Sequence, residues 1–211
     1  MVKVNRKEAE PMKEGYVDNR FASLYYKEMG QGMPLIMLHG NGESHEIFAR
    51  LSELMSRYYR VILMDSRGHG SSLMKEEAAG GDLTIPDMAA DVVQVMEFLH
   101  VPRAVILGFS DGANVALETA SCYPGRVSAV VAVSGNALPR GMSAASLMEV
   151  KIKYALWRGL EKVPLPRGVR ERAVKSRQLL GLMARWPRLD KEKLSCIQAP
   201  VLILTGRGDM I

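Results

Sequence analysis

The sequence predicts an α/β fold in which a mostly parallel, doubly wound sheet is covered by helices on both faces. Three observations carry that expectation. Short apolar runs read as fully buried strands, the stretches between them space apolar residues at three and four, and most runs close on a glycine-containing turn. With 211 residues and 47% hydrophobic content the chain can bury one sizeable core, and its length demands no second independent domain.

Taken in order, residues 22–28 (ASLYYKE) read as an outer strand and Met29 to Gly32 as a turn. Pro34 to Leu38 (PLIML) is a buried strand ending in His39-Gly40-Asn41-Gly42. Residues 44–58 place Ile47, Phe48, Leu51, Leu54 and Met55 on one helical face, with Ser44 as N-cap. Residues 60–65 (RVILMD) form a second apolar strand, closed by Ser66-Arg67-Gly68-His69-Gly70. Thr84 starts a helix with Pro86 in its first turn and Met88, Val92, Val95, Met96 and Leu99 along one face. A third strand follows at residues 104–107 and a fourth at 127–133, ending at Ser134-Gly135-Asn136. Residues 139–190 then show only amphipathic helical stretches, around 147–160 and 169–186, before residues 200–205 (PVLILT) resume the sheet as a fifth buried strand. The expected organisation is a core over 1–138, a helical cap over 139–195 lying across the carboxyl ends of the strands, and a resumed core over 196–211.

Composition narrows the function classes. The longest apolar stretches fall far short of the roughly 20 residues that span a bilayer, and the charged N-terminus has no apolar block behind it, so an unexported, soluble, cytoplasmic protein is expected. Cys122 and Cys196 lack metal-ligand spacing and read as reduced packing residues. Neither a zinc-finger spacing nor a P-loop is present, so no metal, no nucleotide cofactor and no nucleic-acid partner is expected. The net charge of +5 is uneven: residues 139–195 hold 14 Lys and Arg against 5 Asp and Glu. Such a surplus attracts anions, although cations recurring at helical spacing also read as solvated helix faces.

The chemistry centres on Gly108-Phe109-Ser110-Asp111-Gly112. Gly-x-Ser-x-Gly between a buried strand and a helix is the nucleophile elbow: the turn strains the serine backbone and the flanking glycines keep side chains clear of it. Small residues Gly112, Ala113 and Ala116 let the following helix pack close to the sheet. The alternative is a serine that merely caps a helix.

With LHGNG at 38–42, DSRGHGSS at 65–72, GFSDG at 108–112 and APVLILTGRGD at 199–209, the chain resembles the α/β-hydrolase fold family from about residue 16 onward. It is most similar to small esterases and to lactone- or carbon–carbon-bond-cleaving hydrolases with a short helical cap, and the elbow serine sets it apart from the aspartate-nucleophile dehalogenase and epoxide hydrolase branches. The resemblance implies Ser110 as nucleophile, the backbone N–H groups of Asn41 and Asp111 as oxyanion donors, and Asp209 as the acid that orients a histidine. It also implies a histidine after the acid, yet His39, His45, His69 and His100 all precede Ser110. His39 and His69 match loop-packing positions, and His45 and His100 read as ordinary helix residues. The sequence is therefore expected to be a fragment that stops before the catalytic histidine. Asp111 would favour a cationic substrate group, against the pull of the basic cap. The expected activity is cofactor-free hydrolysis of a small ester, lactone or related carbonyl compound. The alternatives are an inactive or non-catalytic protein of the same fold that binds a small ligand or partner, and a perhydrolase-like activity.

Overall fold

The computed structural model describes residues 12–161 and 163–207. The chain runs β1 (Lys13–Asp18), β2 (Ala22–Met29) and β3 (Met33–Leu38), then a 3-10 turn into α1 (Ala49–Met55) and β4 (Tyr59–Met64). Next come β5 (Leu73–Met74), α2 (Glu76–Ala79), α3 (Ile85–Phe98), β6 (Ala104–Phe109), α4 (Asp111–Cys122) and β7 (Val127–Val133). Helices α5 (Ala144–Leu160), α6 (Arg167–Arg185) and α7 (Lys191–Ser195) follow before β8 (Val201–Leu204). One sheet has the order β1-β2-β4-β3-β6-β7-β8, with β5 beside β2. Strands β4, β3, β6, β7 and β8 are mutually parallel, whereas β1, β2 and β5 pair antiparallel.

Alternation along β3 shows why the central strands are apolar throughout. Leu35 and Met37 face α1 with Phe48, Val61 and Leu63, while Ile36 and Leu38 face α3 and α4 with Ile62, Met64 and Ile106. Strand β3 lies between β4 and β6, so the strand order reverses there, and the crevice beyond the carboxyl ends of β3 and β6 is the place where open α/β sheets bind ligands.

Helix α3 starts as expected: Thr84 Oγ1 accepts from Asp87 N–H, and Met88, Val92, Val95 and Met96 are buried. Several expectations need correction, among them the reading of Cys122 and Cys196 as packing residues, since both are exposed. The strand at 22–29 lies inside the sheet, because Lys13–Asp18, too polar to read as a strand, forms the edge beside it. The helix expected over 44–58 opens with a 3-10 turn, His45–Phe48, whose tighter winding turns Ile47 to solvent; Leu54 is exposed as well. The strand expected to be buried at 200–205 is exposed along its length, with Ile203 65% accessible, because it is an edge strand over which no described helix packs. No helix among the described residues is long and apolar enough to cross a membrane.

Helix α6 is fastened to the core by buried Arg177. Its guanidinium bonds Glu161 (2.7 Å), Asp82 and the carbonyl of Gly80 (2.8 Å), while Gln178 Nε2 donates to Gly81 O and Arg185 pairs with Asp82 (3.0 Å). Removing one partner of a largely buried ion pair leaves the others uncompensated. Arg177→Ala is expected to lower unfolding free energy by about 1–3 kcal/mol, after discounting for the partly exposed carboxylates. Urea titration measures the loss, and limited proteolysis should show cleavage shifting into the 161–167 connection.

Candidate active site

Strand β6 delivers Ser110 to the crevice. Its backbone has φ 53° and ψ −120°, a region that L-residues avoid, and the surroundings fix it there. Ser110 N–H donates to Val133 O (2.8 Å), and its carbonyl accepts from Ala113 N–H (2.9 Å) and Asn114 N–H (3.3 Å). Both flanking glycines are sterically required. A Cβ on Gly108 would lie 2.1 Å from Gly112 O, and one on Gly112 would lie 2.1 Å from Leu38 O. Thus α4 presses its first turn against the ends of β6 and β3.

The loop after β3 folds over this turn. A Cβ on Gly40 would lie 3.1 Å from Ser110 Cβ and 2.6 Å from Glu43 Oε2, which accepts Gly40 N–H (2.9 Å). Asn41 follows, its side chain held by donation from Nδ2 to Leu179 O in α6 (2.9 Å). No acceptor among the described residues takes the Asn41 N–H, and Asp111 N–H opens α4, where the first turn offers no intrahelical acceptor. Ser110, Asn41 and Asp111 are therefore brought together, whereas Asp209 lies outside the described residues.

The Asp111 side chain joins a polar network that the sequence reading missed. Its Oδ1 accepts from Asn114 Nδ2 (3.1 Å), which also reaches Asn136 Oδ1, and Asn136 N–H returns a bond to Asn114 Oδ1 (2.9 Å). The available signal was the spacing of Asp111, Asn114 and Glu118 along one face of α4, where Asn114 and Glu118 are both buried. Asp111 Oδ2 is buried without a partner among the described residues, and burial pushes the carboxyl up to about 6, with Asn114 opposing. A group that titrates there supplies a weaker attraction for cations than a fixed charge.

None of the described histidines hydrogen-bonds Ser110. Ser66 N–H donates to His39 Nε2 (3.1 Å), so Nδ1 carries the proton and donates to Gly40 O (2.7 Å). Burial pushes the His39 imidazole below its ordinary pKa. His69 is pushed down to about 4, chiefly by burial, with the bond to the Arg67 carbonyl opposing the fall and the nearby His39 and Lys175 side chains adding to it. Its ring lies 3.0 Å from Arg67 O and 3.3 Å from Asn41 Oδ1. His45, expected in a helix, sits in the 3-10 turn and points N–H (2.6 Å) and Nδ1 (3.0 Å) at buried Asp65. His100, also expected in a helix, adopts φ 54° beyond the end of α3, ahead of β6 and so at the opposite end of that strand from Ser110.

With this geometry in place, the sequence matches the α/β hydrolase fold model over residues 33–160, and the chain belongs to that family. Curated relatives include an AB hydrolase superfamily protein, YisY, of Bacillus subtilis, 34% identical over 49% of this chain and 37% of its own length. Another is the pimeloyl-[acyl-carrier protein] methyl ester esterase of Chromobacterium violaceum, 31% identical over 53% of this chain and 41% of that protein. The chain thus matches about two-fifths of the length of these relatives. Among solved structures, the carboxylesterase CesB of Bacillus subtilis superposes with a TM-score of 0.69 at 21% identity, covering 92% of this chain and 73% of that one. That likeness speaks for the fold alone.

Two outcomes follow. Gly112→Ala places a methyl against the Leu38 carbonyl and should cost about 3 kcal/mol or more in unfolding free energy, because backbone must move. For Asp111, a folded-state carboxyl raised to about 6 binds its proton more tightly than the unfolded one, so its stabilising contribution is complete below the usual 3.8 and is lost as pH rises through 6. The stability of Asp111→Asn relative to the parent should therefore improve from pH 4 to pH 8, by at most about 3 kcal/mol, in paired denaturation curves.

Proposed function

We propose that this chain carries the nucleophile and oxyanion machinery of a cofactor-free serine hydrolase acting on a small ester, lactone or related carbonyl compound. The observation that supports this most directly is Ser110 held in a strained left-handed turn between two sterically obligatory glycines, with the Gly40 loop packed against its side chain. Ser110 Oγ attacks the carbonyl carbon. Its proton passes to a histidine while Asn41 and Asp111 N–H groups hold the developing oxyanion, and the leaving alcohol takes that proton as the acyl-enzyme forms. Water then attacks the acyl carbon and regenerates the serine.

Each of the four histidines is committed to another bond or lies at the wrong end of the sheet, so none of them is assigned as the general base, and Asp209 is the acid that would orient the histidine in that role. Helices α5 and α6 act as the cap in this reading. The ester class is favoured by the Chromobacterium esterase and by Est816, an N-acyl homoserine lactone degrading enzyme that superposes with a TM-score of 0.64 at 26% identity.

Imidazole supplied in solution tests both halves of the proposal. The 211-residue protein should release p-nitrophenol slowly from p-nitrophenyl butyrate, and added imidazole should accelerate release beyond its own background. Ser110→Ala should show neither effect. Equal rates from folded parent and variant, with and without imidazole, would sink the assignment of Ser110.

A further inference from the structure

The basic surplus of residues 139–195 has no role in the site above, but part of it converges on one cleft. Between the 3-10 turn Pro139–Gly141, the first half of α5 and the end of α6 lies an open surface depression of about 540 Å³. Leu138, Pro139, Leu147 and Ala184 supply apolar wall. Arg140, Lys151, Arg185 and Arg188 ring it, against one acid, Asp190.

The state of these charges decides what the cleft accepts. Asp190 is spent on capping α7, where Oδ1 accepts Lys193 N–H (2.9 Å). Arg185 is paired with Asp82 and lies over the Tyr154 ring. Arg140, Lys151 and Arg188 have no carboxylate partner among the described residues. The Arg188 guanidinium is positioned, with Nε donating to Arg185 O (3.1 Å) and the planar group 5.1 Å above the Trp186 ring. Three unpaired cations around an apolar wall match an anionic head joined to an apolar tail, and neither a neutral oil nor a bare anion satisfies both halves.

We propose that this cleft is a binding site for a medium-chain carboxylate, its tail on Leu138, Pro139 and Leu147 and its head shared by Arg140, Lys151 and Arg188. The site is separate from Ser110, and its test needs no turnover, so it stands or falls apart from the hydrolase reading.

The probe is sodium decanoate, titrated below its micelle concentration at pH 8 and followed by tryptophan fluorescence, to which Trp186 reports, and by calorimetry. Decanol supplies the tail alone and acetate the head alone. Saturable decanoate binding is expected, with both controls at least about tenfold weaker and with affinity falling as salt rises. Lys151→Ala/Arg188→Ala, at two exposed positions where folding is readily checked by circular dichroism, should weaken decanoate about tenfold and leave decanol unchanged. Decanol binding as tightly as decanoate, an unchanged affinity in the double variant, or no decanoate binding at all would each overturn the proposal.

Discussion

The closest backbone approach described in this molecule, α4 against the ends of β3 and β6, governs the site. Gly112 lies so near the Leu38 carbonyl, and Gly108 so near the Gly112 carbonyl, that no side chain fits at either position. That closeness turns the chain through a left-handed serine and lifts it above the sheet, and the hydrogen bond to Val133 O holds it. Because β3 ends beside β6, the loop that carries Asn41 emerges directly over the same turn. Candidate nucleophile and candidate donors are thus neighbours through the strand order of the sheet.

Around this packing, the polar side chains act mainly as fasteners. His39 joins the Gly40 carbonyl to the Ser66 amide, and buried Asp65 gathers the N–H groups of His45 and Ser71. Asn114 ties the elbow helix to the loop after β7. A neutral imidazole suits such a place, since it offers one donor and one acceptor without the desolvation penalty of a charge. The same commitments that make these histidines good braces make them poor bases for Ser110.

Much of this was legible in the sequence because burial on both faces leaves a plain mark: PLIML, RVILM and VSAVVAV each became a strand within a residue of the expected bounds. The elbow was legible because its glycines answer a steric demand that hardly any other residue can meet. Lys13–Asp18 left no such mark, since an edge strand with polar neighbours needs no apolar run. Exposure of Ile47 and Leu54 was hidden because periodicity assumes 3.6 residues per turn and a 3-10 turn does not keep it. Burial of PVLILT was inferred from composition, whereas exposure depends on what packs beside a strand, a property of no single segment. Long-range polar partners such as Asn114 with Asn136, or Arg177 with Asp82, are set by tertiary approach and leave no spacing to read.

One tether carries a mechanical meaning. The side chain of Asn41 grips the Leu179 carbonyl on α6, and Asn41 directly follows Gly40, which lies against Ser110. A single residue is thereby both hinge pin and candidate electrostatic donor. Any outward swing of α6 must either break that bond or drag the loop with it, so helix and loop are coupled through one hydrogen bond.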